Sequence, residues 1–185
     1  MLRLLSLLSV LAIAGCATLS REDCSRGDWA SLGINDGRTG EPSSRLDEHQ
    51  KACMEYGIAV NQEAYLAGRE QGLQDYCQLD NAFQTGLSGK PYHHVCPPSI
   101  DGLFAHYHSA AFNLQKDRAE LERLDNDLAG KERDLYDKKL SDKDQLRIRD
   151  SIRDLDRKRD RLRDDLYHHE RELDSLRREA SSHRY

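Results

Sequence analysis

Aromatic side chains are scarce in this chain: 6% of its 185 residues, with one Trp and three Phe. Apolar residues reach only 37% and charged ones 33%. A deep α/β enzyme core needs more apolar bulk than this. A positive excess is also missing. The formal net charge is −5, which argues against a nucleic-acid partner. Proline stops at Pro98, and after it glycine appears only at Gly102 and Gly130. No apolar run after the first 15 residues approaches the length of a membrane span.

What is present divides the chain. Residues 1–15 carry one charge, Arg3, and an apolar stretch from Leu4 to Ala12, the pattern of an export signal. It ends in Ile13-Ala14-Gly15-Cys16, which resembles the bacterial lipobox. That resemblance implies cleavage before Cys16 and acylation of its thiol, hence a membrane partner through the lipid. Ala17 after it implies outer-membrane sorting, facing the periplasm. All five Cys precede residue 97, and 41 of the last 85 residues are charged with nearly balanced signs. The expected domains are a signal peptide (1–15), a Cys/Gly/Tyr-rich head (16–98) and a charged tail (99–185).

With Cys16 lipidated, Cys24, Cys53, Cys77 and Cys96 remain, an even number in an exported chain. Four Cys allow three connectivities. Nearest-neighbour pairing, Cys24–Cys53 and Cys77–Cys96, is favoured because short loops close most easily. Short C-x2-C pairs are missing, so neither a zinc site nor any other metal or cofactor is expected. Residues 35–42, rich in Asn, Asp, Gly and Pro, read as a turn or loop. Ser44 reads as the cap of a helix containing Cys53. Asn61 reads as the cap of a second helix running to about Gln78, and a third spans about Asp80 to Leu87. On the second, Tyr65, Gly68, Gly72 and Tyr76 share a face. That face is either a tight helix contact or, with Trp29 and Tyr92, a surface for a small ligand or glycan.

The spacing Cys24-x4-Trp29-x3-Gly33-x2-Asp36-Gly37, then His49-x3-Cys53, Tyr65-x2-Gly68-Arg69-x2-Gly72 and Tyr92-x3-Cys96, resembles a family of proteobacterial lipoproteins. That family is designated domain of unknown function 2799. The resemblance covers about residues 16–98. It implies a small, exported, disulfide-bonded, mostly helical module and no activity.

In the tail, Leu114, Leu121, Leu128 and Leu135 recur every seven residues, joined by Leu124. Ile148, Ile152, Leu155, Leu162, Leu166, Leu173 and Leu176 form a second run in a different phase. Between them Ser141 and Asp144 suggest a helix start. The expected fold is therefore mainly α: a disulfide-bonded helical head, then a long antiparallel coiled-coil helical hairpin turning near 139–143. One unbroken helix is the alternative. Asp117, Lys131, Lys138, Arg159 and His169 interrupt the seams. The His pairs 93/94, 106/108 and 168/169 lack ligand spacing and read as solvated. Asp36, His49 and Glu63 have no catalytic spacing, and no other motif names a catalytic group, so no enzyme is expected. The expectation is an adaptor that meets an envelope protein through its tail, with Lys138, Lys139 and Lys143 near the contact and self-association open. The head should then fold without residues 101–185.

Overall fold

The computed structural model describes residues 19–137 and 140–182. Cys16 and the signal segment lie outside the described residues, as do Lys138 and Lys139. Every regular element among the described residues is an α-helix. They are α1 (Arg21–Arg26), α2 (Trp29–Thr39), α3 (Arg45–Met54), α4 (Gln62–Tyr76), α5 (Leu79–Leu87), α6 (Pro98–Asp134) and α7 (Asp142–Ser182).

Local chemistry sets most of these boundaries. Ser20 and Asp23 form a reciprocal capping box at the start of α1. Asp28 accepts from the Ser31 amide to open α2, and Asn61 accepts from the Ala64 amide to open α4. Pro98 occupies the first turn of α6, where its missing N–H leaves no helical bond unmade. The Ser141 hydroxyl accepts from the Asp144 amide and donates to its carboxylate, as its spacing suggested.

The stretch 35–42 departs from expectation. Residues 35–39 belong to α2, and the chain leaves the helix only at Gly40, in the left-handed region. The reason is tertiary. Gly33 and Gly37 of α2 face Gly68 and Gly72 of α4, and the two backbones touch. A Cβ on Gly33 would lie 2.0 Å from the Tyr65 carbonyl oxygen, and one on Gly68 would lie 2.1 Å from that of Ala30. Four glycines that would weaken isolated helices by about 1 kcal/mol each thus allow a contact no other residue fits.

Two disulfides organise two cores. Cys24–Cys53 (Cα–Cα 5.5 Å) ties α1 to the end of α3. It sits in a cluster with Leu19, Trp29, Leu46, Ala52 and Tyr65. Cys77–Cys96 (Cα–Cα 5.6 Å) ties the end of α4 to the approach to α6. These are the nearest-neighbour pairs. Around the second gather Tyr76, Phe83, Phe104, Tyr107, Ala111 and Leu114, joined by Leu173, Leu176 and Ala180 from the end of α7. The boundary drawn at 98/99 is therefore a helix start but not a packing boundary. The first turns of α6 and the last of α7 complete the head. A head ending before residue 101 would lack Phe104 and Tyr107, both fully buried, so independent folding of 16–98 is not supported.

Beyond the head, α6 and α7 run side by side. Tyr107 meets Glu179, Asp117 meets His169, Arg118 meets Glu170, and Asp125 meets Arg159. Partners advance along α6 while receding along α7, so the two helices are antiparallel. At 37 and 41 residues they reach about 55 and 60 Å at 1.5 Å per residue.

Candidate functional site

Three features of the molecule bring polar chemistry together. The first joins α2, α3 and α4. Asp36 Oδ2 accepts from His49 Nε2 at 2.8 Å and from the Tyr65 hydroxyl at 2.7 Å. Burial alone would raise the Asp36 carboxyl, but these two donors outweigh it and hold it below the ordinary range. Burial, reinforced by the Asp36 acceptor, pushes the Tyr65 phenol up. An Asp–His pair is half of a catalytic relay. Here, however, His49 and Tyr65 are sealed from solvent, at 1% and 0% exposure. Glu63, the third residue of the spacing considered above, is exposed. The network crosslinks three helices, and of its members Asp36 alone is partly open to solvent, its side chain 13% exposed.

The second feature fastens the segment before α6. Tyr92 donates to Asp101 at 2.6 Å and accepts from the Cys96 amide, while its ring packs against Phe104. His94, with φ of 52°, donates from Nδ1 to the other Asp101 oxygen. His108 is buried and donates from Nε2 to the Lys90 carbonyl at 2.8 Å. It is not the solvated residue its spacing suggested, because α6 turns it into the head. Burial lowers its pKa, partly opposed by that same bond.

The third feature is the paired arm. Asp117 and His169, two of the seam interruptions, prove to be each other's partner, His169 Nδ1 donating at 2.5 Å. Arg159 lies at the interface with Asp156 at 2.8 Å and Asp125 at 3.9 Å. Leu124 and Leu128 are buried, whereas Leu121, Leu135, Ile148, Ile152, Leu155, Leu162 and Leu166 remain half-buried, and Leu146 is exposed. Outward, Asp–Arg pairs three residues apart recur along α7, including Asp144–Arg147, Asp150–Arg153, Asp154–Arg157 and Asp174–Arg177. Much of α7's outward charge is thus paired within the helix, while the apolar stripe is only half-covered.

The face carrying Tyr65, Gly68, Gly72 and Tyr76 is buried against the rest of the head. A ligand or glycan there would have to displace α2. Trp29 is likewise buried, and Tyr92 is half-buried in its ring cluster.

Residues 28–113 match a family model described as a protein of unknown function, DUF2799. The match opens at the cap of α2 and closes in α6 beside Leu114, where that helix leaves the head core. It takes in Cys53, Cys77 and Cys96 and stops short of Cys24. It also takes in the first turns of α6, which lie beyond the 16–98 stretch of the resemblance. No curated protein and no solved structure matches the chain.

Sequence reasoning missed the Asp36–His49–Tyr65 network and the His169–Asp117 pair. The equal spacing of Gly33/Gly37 and Gly68/Gly72 was the signal that α2 is a helix docked on α4. Its visibility was masked by the turn-like Asn35-Asp36-Gly37.

Proposed function

We propose that this chain is a lipid-anchored cell-envelope protein that acts as an adaptor through its α6–α7 arm. Cys16 carries the acyl anchor, and the protein faces the periplasm from the outer membrane. The observation that carries the reading is the half-covered stripe Ile148, Ile152, Leu155 and Leu162 on a helix whose outward charges recur as Asp–Arg pairs three residues apart. A two-helix coiled coil with such a stripe is completed by a further helix of a partner, or of a second copy. Two disulfides support an oxidising compartment. In the most chemically suggestive cluster, Asp36–His49–Tyr65, the imidazole and the phenol are buried, which supports a role other than catalysis.

A photo-reactive amino acid at position 145, half-buried and on the stripe's side of α7 one turn before Ile148, tested in cells against one at the exposed head position 84, checks the reading. A discrete adduct from 145, lost when Leu155→Asp disrupts the stripe and absent from 84, is the expected result. Adducts from 84 alone would overturn it. Metabolic labelling with a lipid precursor tests the anchor: wild type should label and Cys16→Ala should not.

A further inference from the structure

Leu19 is buried in the same cluster as Cys24, Cys53 and Trp29. The capping box at Ser20 fixes where the chain enters the head. α1 has six residues, about 9 Å of helix. The Cys24–Cys53 bond brings it against the end of α3. The residue after Cys53 is Met54, 71% exposed. Met54, Ile58, Ala59, Val60 and Gln62 line an open, mainly apolar groove of about 430 Å³. One turn along α4 from Gln62, Leu66 is 47% exposed and lies on the same side of that helix.

Exposed large apolar side chains are concentrated here. Among the described residues such side chains are Met54, Tyr56, Leu66, Tyr136, Leu146 and Tyr167. The last three belong to the arm and its turn. The first three fall within the short stretch 54–66. Exposed apolar residues scattered singly need no explanation, but a cluster marks a contact surface. Lys51, Glu55 and Glu63 flank it, so the surface has no strong sign of its own.

We infer that Met54, Ile58, Val60 and Leu66 form the face on which the anchored head rests against the lipid bilayer. The occupant follows from chain reach. Three residue steps separate Cys16 from Leu19, and at 3.8 Å each they span at most about 11 Å. An acyl chain on Cys16 therefore holds the headgroups within about that distance of Leu19, whose cluster Ile58 and Val60 pack against. The groove is joined to that cluster through the half-buried Ile58 and Val60, with Met54 at its exposed rim. Its mixed flanking charges suit shallow apolar contact rather than attraction to anionic lipid. The inference rests on the Cys16 anchor proposed above.

The test decouples the two. The chain from Cys16 onward is coupled through the Cys16 thiol to a maleimide phospholipid in phosphatidylethanolamine/phosphatidylglycerol vesicles. Amide hydrogen exchange over 54–61 is compared with the same chain capped by a small maleimide in solution. Tethering should slow exchange there roughly tenfold, the order expected for one methionine-sized group leaving water. The arm peptides should be unchanged. Met54→Asp with Leu66→Asp, both at exposed positions, should remove the slowing while both disulfides and the helical spectrum persist. No slowing over 54–61, or slowing that the double variant keeps, overturns the inference. Absence of the metabolic lipid label on Cys16 overturns the anchor reading instead, and is read in cells, apart from the exchange experiment.

Discussion

Replacing Gly68 by Ala should destabilise the head, although alanine is the better helix former. The added methyl would stand 2.1 Å from the Ala30 carbonyl oxygen and 2.9 Å from its carbon. Both are backbone atoms, so no side-chain rotation relieves the clash. α2 and α4 would have to part by roughly an ångström to reach ordinary contact distances of about 3.5 Å. Overpacking of this kind costs about 3 kcal/mol at its upper end. Gly→Ala in a helix returns about 1 kcal/mol. The net expectation is a loss of about 2 kcal/mol, or roughly 4–8 °C in the unfolding midpoint for a chain this size. Gly130→Ala in α6 is the internal control. Nothing lies within 4 Å of its added methyl, so the sign reverses and the variant gains up to about 1 kcal/mol. Urea unfolding followed by far-ultraviolet circular dichroism, with disulfides intact, reads both. A Gly68→Ala protein as stable as the parent would refute the backbone contact between α2 and α4.

Tyr65→Phe removes one of the two donors to Asp36 and should cost about 1–2 kcal/mol, measured by the same denaturation. The Asp36 carboxyl is held below its ordinary range, so its contribution is complete above the unfolded value near pH 4 and is lost as pH falls through the lower folded value. Asp36→Asn should flatten that acid limb in a pH series of melts. His108 is shifted down, so its contribution is complete above about pH 6.5 and declines as pH falls below it. His108→Gln should weaken the dependence between pH 7 and 5. Deleting 101–185 removes Phe104, Tyr107 and Leu114 and should leave a protease-sensitive head. Excising 124–162 behind a short linker should leave a resistant head without partner capture. Serine at both Cys24 and Cys53 should cost about 2–5 kcal/mol.

Where a rule depended on neighbours in sequence, reading the sequence reached the structure. Asn61 caps α4 and Ser141 stands before α7 because a cap needs only the next three residues. The leucine runs of the tail lie on long helices for the same reason: their period is local. The failures are tertiary. Gly37 between Asp36 and Arg38 looks like a turn until Gly72 is known to lie opposite. His108 looks solvated until the Lys90 carbonyl is placed beside it. Asp117 and His169 look like two defects because 52 residues separate them, and the antiparallel course of α6 and α7 makes them one pair. The division at 98/99 followed composition, which changes there. Packing does not, since a charged amphipathic helix still has one apolar side to give to the head.

The return of α7 to the head has a consequence for the order of events as the chain is made. Tyr107 and Glu179 are 72 residues apart, and Leu173, Leu176 and Ala180 close the cluster around Phe83 and Phe104. A chain that emerges N-terminus first presents Tyr107 well before Glu179. During that interval one side of the aromatic cluster has no cover. The core around Cys24–Cys53 draws only on residues up to Tyr65 and needs no such wait. The molecule therefore assembles as an early module and a late one, and the late one stays open to chaperones, to disulfide exchange at Cys77 and Cys96, and to proteases until the last turns of α7 arrive.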